Sequence, residues 1–256
     1  MQDKLSDQEA TRYSRHLLLS QIGEGGQIKL KNAHAVVVGA GGLGSPVCLY
    51  LAAAGVGKIT IIDPDTIEVT NLQRQILYKT NHVGREKAQM AANQMQALNP
   101  LIQVQAIGKK VENCNFEQVI KDATAVLDCT DNVSSRYFIN QICVQAQVPL
   151  ISAAAIRGEG QFMMFNFKQQ TSPCYHCVFP DLDGDEAGLN CSNAGVVGPL
   201  LGLMGSKQAL EFVKYVVKPE SCSFAKLTVI DIWSEQNRQF NLAADPACPV
   251  CTAPEL

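Results

Sequence analysis

No charge sign dominates this sequence. Its 256 residues carry 21 Lys and Arg against 24 Asp and Glu, a net charge of −3. Such a balance gives no global attraction to nucleic acid, so a polyanionic ligand must be held by a local basic cluster. The chain also lacks an unbroken apolar run. Its longest, near 196–217, is interrupted by Ser206, Lys207, Gln208 and Glu211 and reads as a buried helix, not a membrane span. Met1-Gln2-Asp3-Lys4 is polar and leads into no signal-peptide core, so a cytoplasmic setting is expected. No internal repeat or low-complexity tract is present. Neither nucleic acid nor a membrane is an expected partner.

What is present is ordinary globular material, 46% hydrophobic and 18% charged, enough for one large core. Residues 6–30 read as helical, with Ser6 or Asp7 as cap. Strands are expected at Ala35–Val38, Lys58–Ile62, Gln103–Ile107, Ala125–Asp128 and Leu150–Ala153. Helices alternate with them at Pro46–Ala54, Gly84–Leu98, Phe116–Lys121 and Arg136–Ala146. This alternation predicts an α/β fold, a Rossmann-like, doubly wound, mostly parallel sheet. After residue 155 the pattern changes. Gln161–Phe167 is strand-like, Cys174–Asn190 is a loop, Pro199–Val217 is a helix, and Lys226–Trp233 with Arg238–Leu242 reads as an antiparallel hairpin. The expected organisation is a single domain over 1–256: an N-terminal helical arm (1–30), a nucleotide-binding half (31–155), and a second half (156–256) closing over the carboxyl edge of the sheet, where ligands bind in such folds.

Gly39-Ala40-Gly41-Gly42-Leu43-Gly44 lies between a strand and a helix. Gly39, Gly41 and Gly44 fit G-x-G-x-x-G, in which backbone amides approach phosphate and the helix N-terminus adds positive potential. Asp63 ends the next strand, 19 residues past Gly44, a placement that suits a carboxylate accepting from ribose hydroxyls. A tight turn without a ligand is the alternative, but strand, helix and acid agree on a nucleotide. The fingerprint alone does not separate NAD from ATP. Asn71, Gln73, Arg74 and Gln75 follow, and Lys87 opens the next helix. Singly, each is as easily a solvated surface residue. Together they suit a triphosphate, which needs several cations and gains from bidentate arginine. Asp131, in Asp128-Cys129-Thr130-Asp131-Asn132, ends a buried strand and suits Mg²⁺; the alternative is an Asp-Asn helix cap.

Ten cysteines in a reducing compartment point to metal or catalysis before disulfides. Cys174-x-x-Cys177 and Cys248-x-x-Cys251 are matching pairs that suit a structural, four-cysteine Zn²⁺ site stapling the tail to the loop. Cys191 lies before a helix and is either a nucleophilic thiol or an inert one. Cys48, Cys129 and Cys143 sit in apolar contexts and should be packed. Cys114 and Cys222 carry no signal.

These motifs, with Arg12-Tyr13-Ser14-Arg15 and Ala194-Gly195-Val196, run nearly end to end. In that order the chain resembles the ThiF/MoeB/HesA adenylyltransferases, relatives of the ubiquitin-activating enzymes. The resemblance implies an ATP-dependent enzyme that adenylates the C-terminal Gly-Gly carboxylate of a ubiquitin-like sulfur carrier protein. By it, Gly42 and Asp63 hold the nucleotide, Asn71, Arg74 and Lys87 its phosphates, and Asp131 Mg²⁺, with Gln73 and Asn132 beside them. It implies a homodimer in which Arg15 reaches the phosphates of the neighbouring subunit. It also implies that Cys191 attacks the acyl-adenylate or joins the carrier through sulfur. Two branches compete. Cys174-Tyr175-His176-Cys177 with Phe179-Pro180-Asp181, and Asn190-Cys191 before Ala194–Pro199, resemble the ThiF branch and its ThiS-type carrier for thiamine thiazole. Leu5-Ser6-Asp7-Gln8-Glu9 resembles the MoeB branch and its MoaD-type carrier for molybdopterin. The ThiS-type carrier is the expectation. The chain stops five residues after Cys251, so sulfur is expected from a separate sulfurtransferase or cysteine desulfurase. An NAD-dependent oxidoreductase would leave Arg74, Lys87 and the cysteine pairs without a task. A non-catalytic nucleotide sensor would not need Arg15, Arg74, Lys87 and Asp131 together.

Overall fold

A computed structural model describes residues 4–169, 172–180 and 195–252. One eight-stranded sheet organises the chain, in the order β3-β2-β1-β4-β5-β6-β7-β8. Its strands are β1 (His34–Val38), β2 (Lys58–Ile62), β3 (Gln103–Ile107), β4 (Ala125–Asp128), β5 (Leu150–Ile156), β6 (Glu159–Phe165), β7 (Lys226–Asp231) and β8 (Gln236–Asn241). From β3 through β5 neighbours are parallel; from β5 through β8 they are antiparallel. The expected α/β class and the change of pattern after residue 155 are both borne out.

Alternation along the strands sorts the core into two layers. Ala35, Val37, Ile59, Ile61 and Leu127 face one side, and Val36, Val38, Ile62 and Val126 face the other. The first side is covered by α3 (Gly23–Lys31), α4 (Gly44–Ala54), α5 (Lys87–Leu98) and α9 (Gly198–Val217). The second is covered by α6 (Phe116–Ile120) and α7 (Val133–Gln145), with the short α8 (Tyr175–Val178) packed on α7. Among the described residues no helix is long and apolar enough to cross a membrane.

The N-terminal arm read as helical over 6–30 is helical in pieces. It breaks into α1 (Asp7–Arg12), α2 (Ser14–Leu17) and α3. Ser6 and Glu9 form a reciprocal capping box that starts α1. Tyr13 then leaves helical geometry and turns its ring into the core, where Asn99 Nδ2 donates to its hydroxyl at 2.8 Å. The ring fills space that only glycine leaves open. Gly55, at φ +79° after α4, would place a Cβ 2.4 Å from it.

His34 sits at the opposite end of the sheet from the glycine loop, 6% exposed, with Nε2 2.9 Å from Thr60 Oγ1. Burial first, then the charge of Lys58, push its pKa down from 6.5 to about 4. A lowered value means the native imidazole stays neutral where the unfolded one takes a proton. Stability should therefore fall as pH drops below about 6.5, and the loss saturates below about 4. Between pH 7 and pH 5 the expected loss is about 2 kcal/mol. Urea unfolding at the two pH values, with His34→Leu as reference, measures it. An equal pH dependence in the variant would exclude His34 as its source.

Candidate active site

β1 ends in the glycine loop, and the loop's shape follows from what lies beneath it. Gly39 has φ +96°, and a Cβ there would sit 2.6 Å from the carbonyl oxygen of Cys129, in the turn after β4. Side-chain-free backbone is thus required where the two strand ends meet. Asp63 secures the loop from β2: Ala40 N donates to its Oδ2 at 2.7 Å, and Asp65 N donates to Oδ1 at 2.9 Å. Burial raises its pKa, opposed by the charge of Lys87 and these amide donors. Tyr78, unremarked in the sequence, fastens the same loop. Its buried hydroxyl donates to Ala40 O at 2.8 Å and lies 3.3 Å from Lys87 O.

A cavity of about 1040 Å³ opens at the carboxyl edge of the sheet. It brings together Gly39, Gly41, Gly42, Asp63, Arg74, Lys87, Asp131 and Asn132 from segments distant in sequence. That volume suits a nucleotide with room for a second substrate. Gly44 lies just behind the lining as the first residue of α4. Lys87 is buried, and its Nζ lies 2.9 Å from Asp65 Oδ2, an acid the sequence reading passed over. Arg74 is half-buried and donates to Thr70 O at 3.1 Å. Gln75 is buried beside Gly41, and its Oε1 has no hydrogen-bond partner among the described residues.

Not every expected residue reaches the cavity. Asn71 is buried but absent from the lining, because its Oδ1 accepts from Glu68 N at 3.1 Å and closes the short turn Val69–Asn71. Gln73 is exposed; its backbone carbonyl packs against Gly198. Arg15 is exposed on α2, away from the lining. Asn132 is the helix cap that was the alternative for its segment: Ser135 N donates to Oδ1 at 2.9 Å. Asp131, exposed to the cavity beside it, leaves its carboxylate available for a hard cation. Cys191 lies outside the described residues.

Beneath Asp131 lies a charged network with no signature in the sequence. Arg136, 5% exposed, pairs with Asp128 Oδ2 at 3.0 Å and donates to Ser152 Oγ at 3.0 Å, to Ala153 O at 2.9 Å and to Thr130 O. Asp128 Oδ1 accepts from Thr130 N at 3.0 Å and from its hydroxyl at 2.6 Å. Gln208, on α9, donates to Asp128 O and Ile151 O. The end of β4, the first half of β5, the turn carrying Asp131, and two helices are joined through this cluster.

Cys174, Cys177, Cys248 and Cys251 converge, with all four sulfurs within 4.8 Å of one another. Three measured separations are 3.9, 3.7 and 3.4 Å. A tetrahedral zinc with sulfur ligands at ~2.3 Å sets edges of about 3.8 Å, so the donor set fits that ion. Asp245 N donates toward Cys177 Sγ at 3.4 Å. Cys48, Cys129 and Cys143 are packed, as expected.

The ThiF family model matches residues 13–250. The chain is 42% identical over 248 residues to a molybdopterin-synthase adenylyltransferase of Salmonella typhimurium, covering 97% of this chain and 98% of that protein. It is 40% identical over 248 residues to an adenylyltransferase and sulfurtransferase MOCS3 of Caenorhabditis briggsae, covering 96% of this chain but only 61% of that protein. The chain therefore spans about three-fifths of the length of that relative. Among solved structures, E. coli MccB with MccA-N7isoASN superposes with a TM-score of 0.81 at 28% identity, over 97% of this chain and 75% of MccB. The names of the sequence relatives favour the second of the two carriers expected above, the molybdopterin branch, over the first.

Proposed function

The chain belongs to the ThiF family, and from that premise we propose that it is an ATP-dependent adenylyltransferase acting on a ubiquitin-like sulfur carrier. The carrier proposed is MoaD-type, in keeping with the molybdopterin-synthase adenylyltransferase to which the chain is 42% identical. The observation that carries this reading is the single cavity in which the glycine loop, Asp63, Arg74, Lys87 and Asp131 meet.

In this reading Asp63 holds the ribose, already fixed by two backbone amides. Glycine-loop amides meet the phosphates. Lys87 exchanges its contact with the solvent-facing Asp65 for a phosphate oxygen, and Arg74 swings from Thr70 O to do the same. Asp131 would hold Mg²⁺, which supplies charge neutralisation across the phosphates when bound. A carboxylate oxygen of the carrier's terminal glycine attacks the α-phosphorus, the bond to the bridging oxygen breaks, and pyrophosphate leaves. Fixed cations favour the charge gathered on the phosphoryl oxygens at that point. Ala154 and Ala155, whose side chains are small, line the cavity where the carrier's terminal glycines would enter. Arg15, exposed and outside its own cavity, would complete the site of a partner subunit in a homodimer. The four cysteines would hold structural Zn²⁺.

ATP–pyrophosphate exchange with purified MoaD-like and ThiS-like carriers tests the proposal. Exchange with the MoaD-like protein is expected. Exchange with the ThiS-like protein alone would return the chain to the thiamine branch, which the segment Cys174–Asp181 resembles. Exchange with neither folded carrier would end the adenylyltransferase reading. The metal has its own test. Zinc analysis should find one ion per chain, released when a chelator competes, with a lower melting temperature. Metal-free protein with unchanged melting would rule out the staple.

A further inference from the structure

The cysteine cluster asks more of the chain than its sulfurs. Zinc deprotonates the cysteines it binds, and four thiolates around one dication leave surplus negative charge. Cys174 and Cys248 are buried, so water does little to disperse that charge, and N–H groups of the chain must do so. Asp245 N already points at Cys177 Sγ. For Cys174 the corresponding group is Asn140, on α7, itself 0% exposed. Its Oδ1 accepts from Tyr175 N at 2.8 Å, which anchors the residue beside Cys174 and fixes which way the amide faces. Its Nδ2 is buried and makes no hydrogen bond among the described residues. Such an orphan donor is costly unless a ligand or ion completes it. Burial disfavours the Cys174 thiolate, and the Asn140 side chain is the strongest influence in its favour.

We propose that the Asn140 side-chain N–H donates to the metal-bound Cys174 thiolate, and so raises the affinity of the four-cysteine site and ties it to α7. This rests on the reading of the four cysteines as a zinc site. A neutral thiol is a weak acceptor, and a thiolate is a strong one. When the metal binds, the Cys174 proton leaves to solvent and Nδ2 gains the partner it lacks. Oδ1 stays on Tyr175 N, so one amide orients Cys174 through the backbone and stabilises its charge through the N–H. The metal then fastens α7 as well as the tail. Arg136 lies one turn before Asn140 on that helix, and residues 133–136 line the large cavity.

Competition for zinc between the protein and a chromophoric chelator measures the affinity. Asn140→Leu, close in volume but without an N–H, should bind zinc about 10–100-fold more weakly. With Co²⁺ in place of zinc, the variant's sulfur-to-metal charge-transfer band should move to lower energy, because a thiolate relieved of an N–H holds its electrons less tightly. The d–d bands, set by the tetrahedral shape, should stay where they are. If the variant does not fold, the wild-type chain decides: loading the metal-free protein with zinc should move the Asn140 side-chain amide protons downfield. Weaker zinc binding with an unmoved charge-transfer band, or amide protons that do not respond to zinc, makes Asn140 only an anchor for Tyr175 and overturns the assignment. Unchanged zinc affinity in the variant overturns it too and leaves the metal site standing. A wild-type chain that binds neither zinc nor Co²⁺ overturns both readings.

Discussion

Lys87→Ala loses ATP–pyrophosphate exchange by about 10²–10³-fold or more while the protein stays folded, and Arg74→Ala behaves alike. The two halves of this expectation have separate causes. Lys87 is buried, so its ammonium meets a bound triphosphate away from bulk water, where a fixed cation is worth most. Its present partner is not buried: the Asp65 side chain is 62% exposed. Removing Lys87 returns Asp65 to water and takes a nearby cation from the buried Asp63, which keeps its two backbone amide donors, so some stability is lost while the fold is kept. Arg74 is only half-buried and its guanidinium reaches a backbone carbonyl, so the same separation holds. Exchange assayed beside a urea unfolding curve checks both. Activity within a few-fold of wild type in either variant, or loss of activity together with loss of fold, would remove that residue from the phosphate site.

The sequence made this half of the site legible because it is built on local rules. A β-branched run that stops at Gly39, and another that stops at Asp63, each mark a strand end, and a doubly wound sheet brings such ends to one edge. The cysteine pairs were legible for a similar reason: C-x-x-C spacing is a metal signal within four residues, and the convergence of Cys174 with Cys248 only completes it. What stayed hidden depends on partners far away in the chain. Asp65 is a plain loop acid until Lys87 meets it. Asn71 sits in a motif that suggests phosphate, yet its amide closes its own turn; a side chain that can bond to nearby backbone has that choice at every such position. The broken N-terminal arm follows from Tyr13 finding Gly55, a contact no periodicity within residues 6–30 contains.

Arg136 is the largest instance of the same limit, and it carries the largest expected loss of stability. On α7 it reads as an ordinary helical arginine. In the fold the residue is 5% exposed, and its guanidinium neutralises Asp128, which is 1% exposed. Arg136→Ala strands that carboxylate with only Ser152 and Thr130 as donors and leaves the carbonyls of Thr130 and Ala153 without theirs. Breaking one side of a buried pair costs about 3–5 kcal/mol. Asp128→Ala should be comparably harmful, because it strands the cation. Taking out both charges together, as in Arg136→Met with Asp128→Leu, should cost clearly less than the sum of the two single losses, since neither charge is then left alone. Denaturant unfolding of the four proteins gives the coupling directly. Additive losses would mean that the two side chains act as independent packing groups. Strong coupling would show that the ion pair itself ties α7 to the end of β4, and with it the turn from which Asp131 faces the cavity.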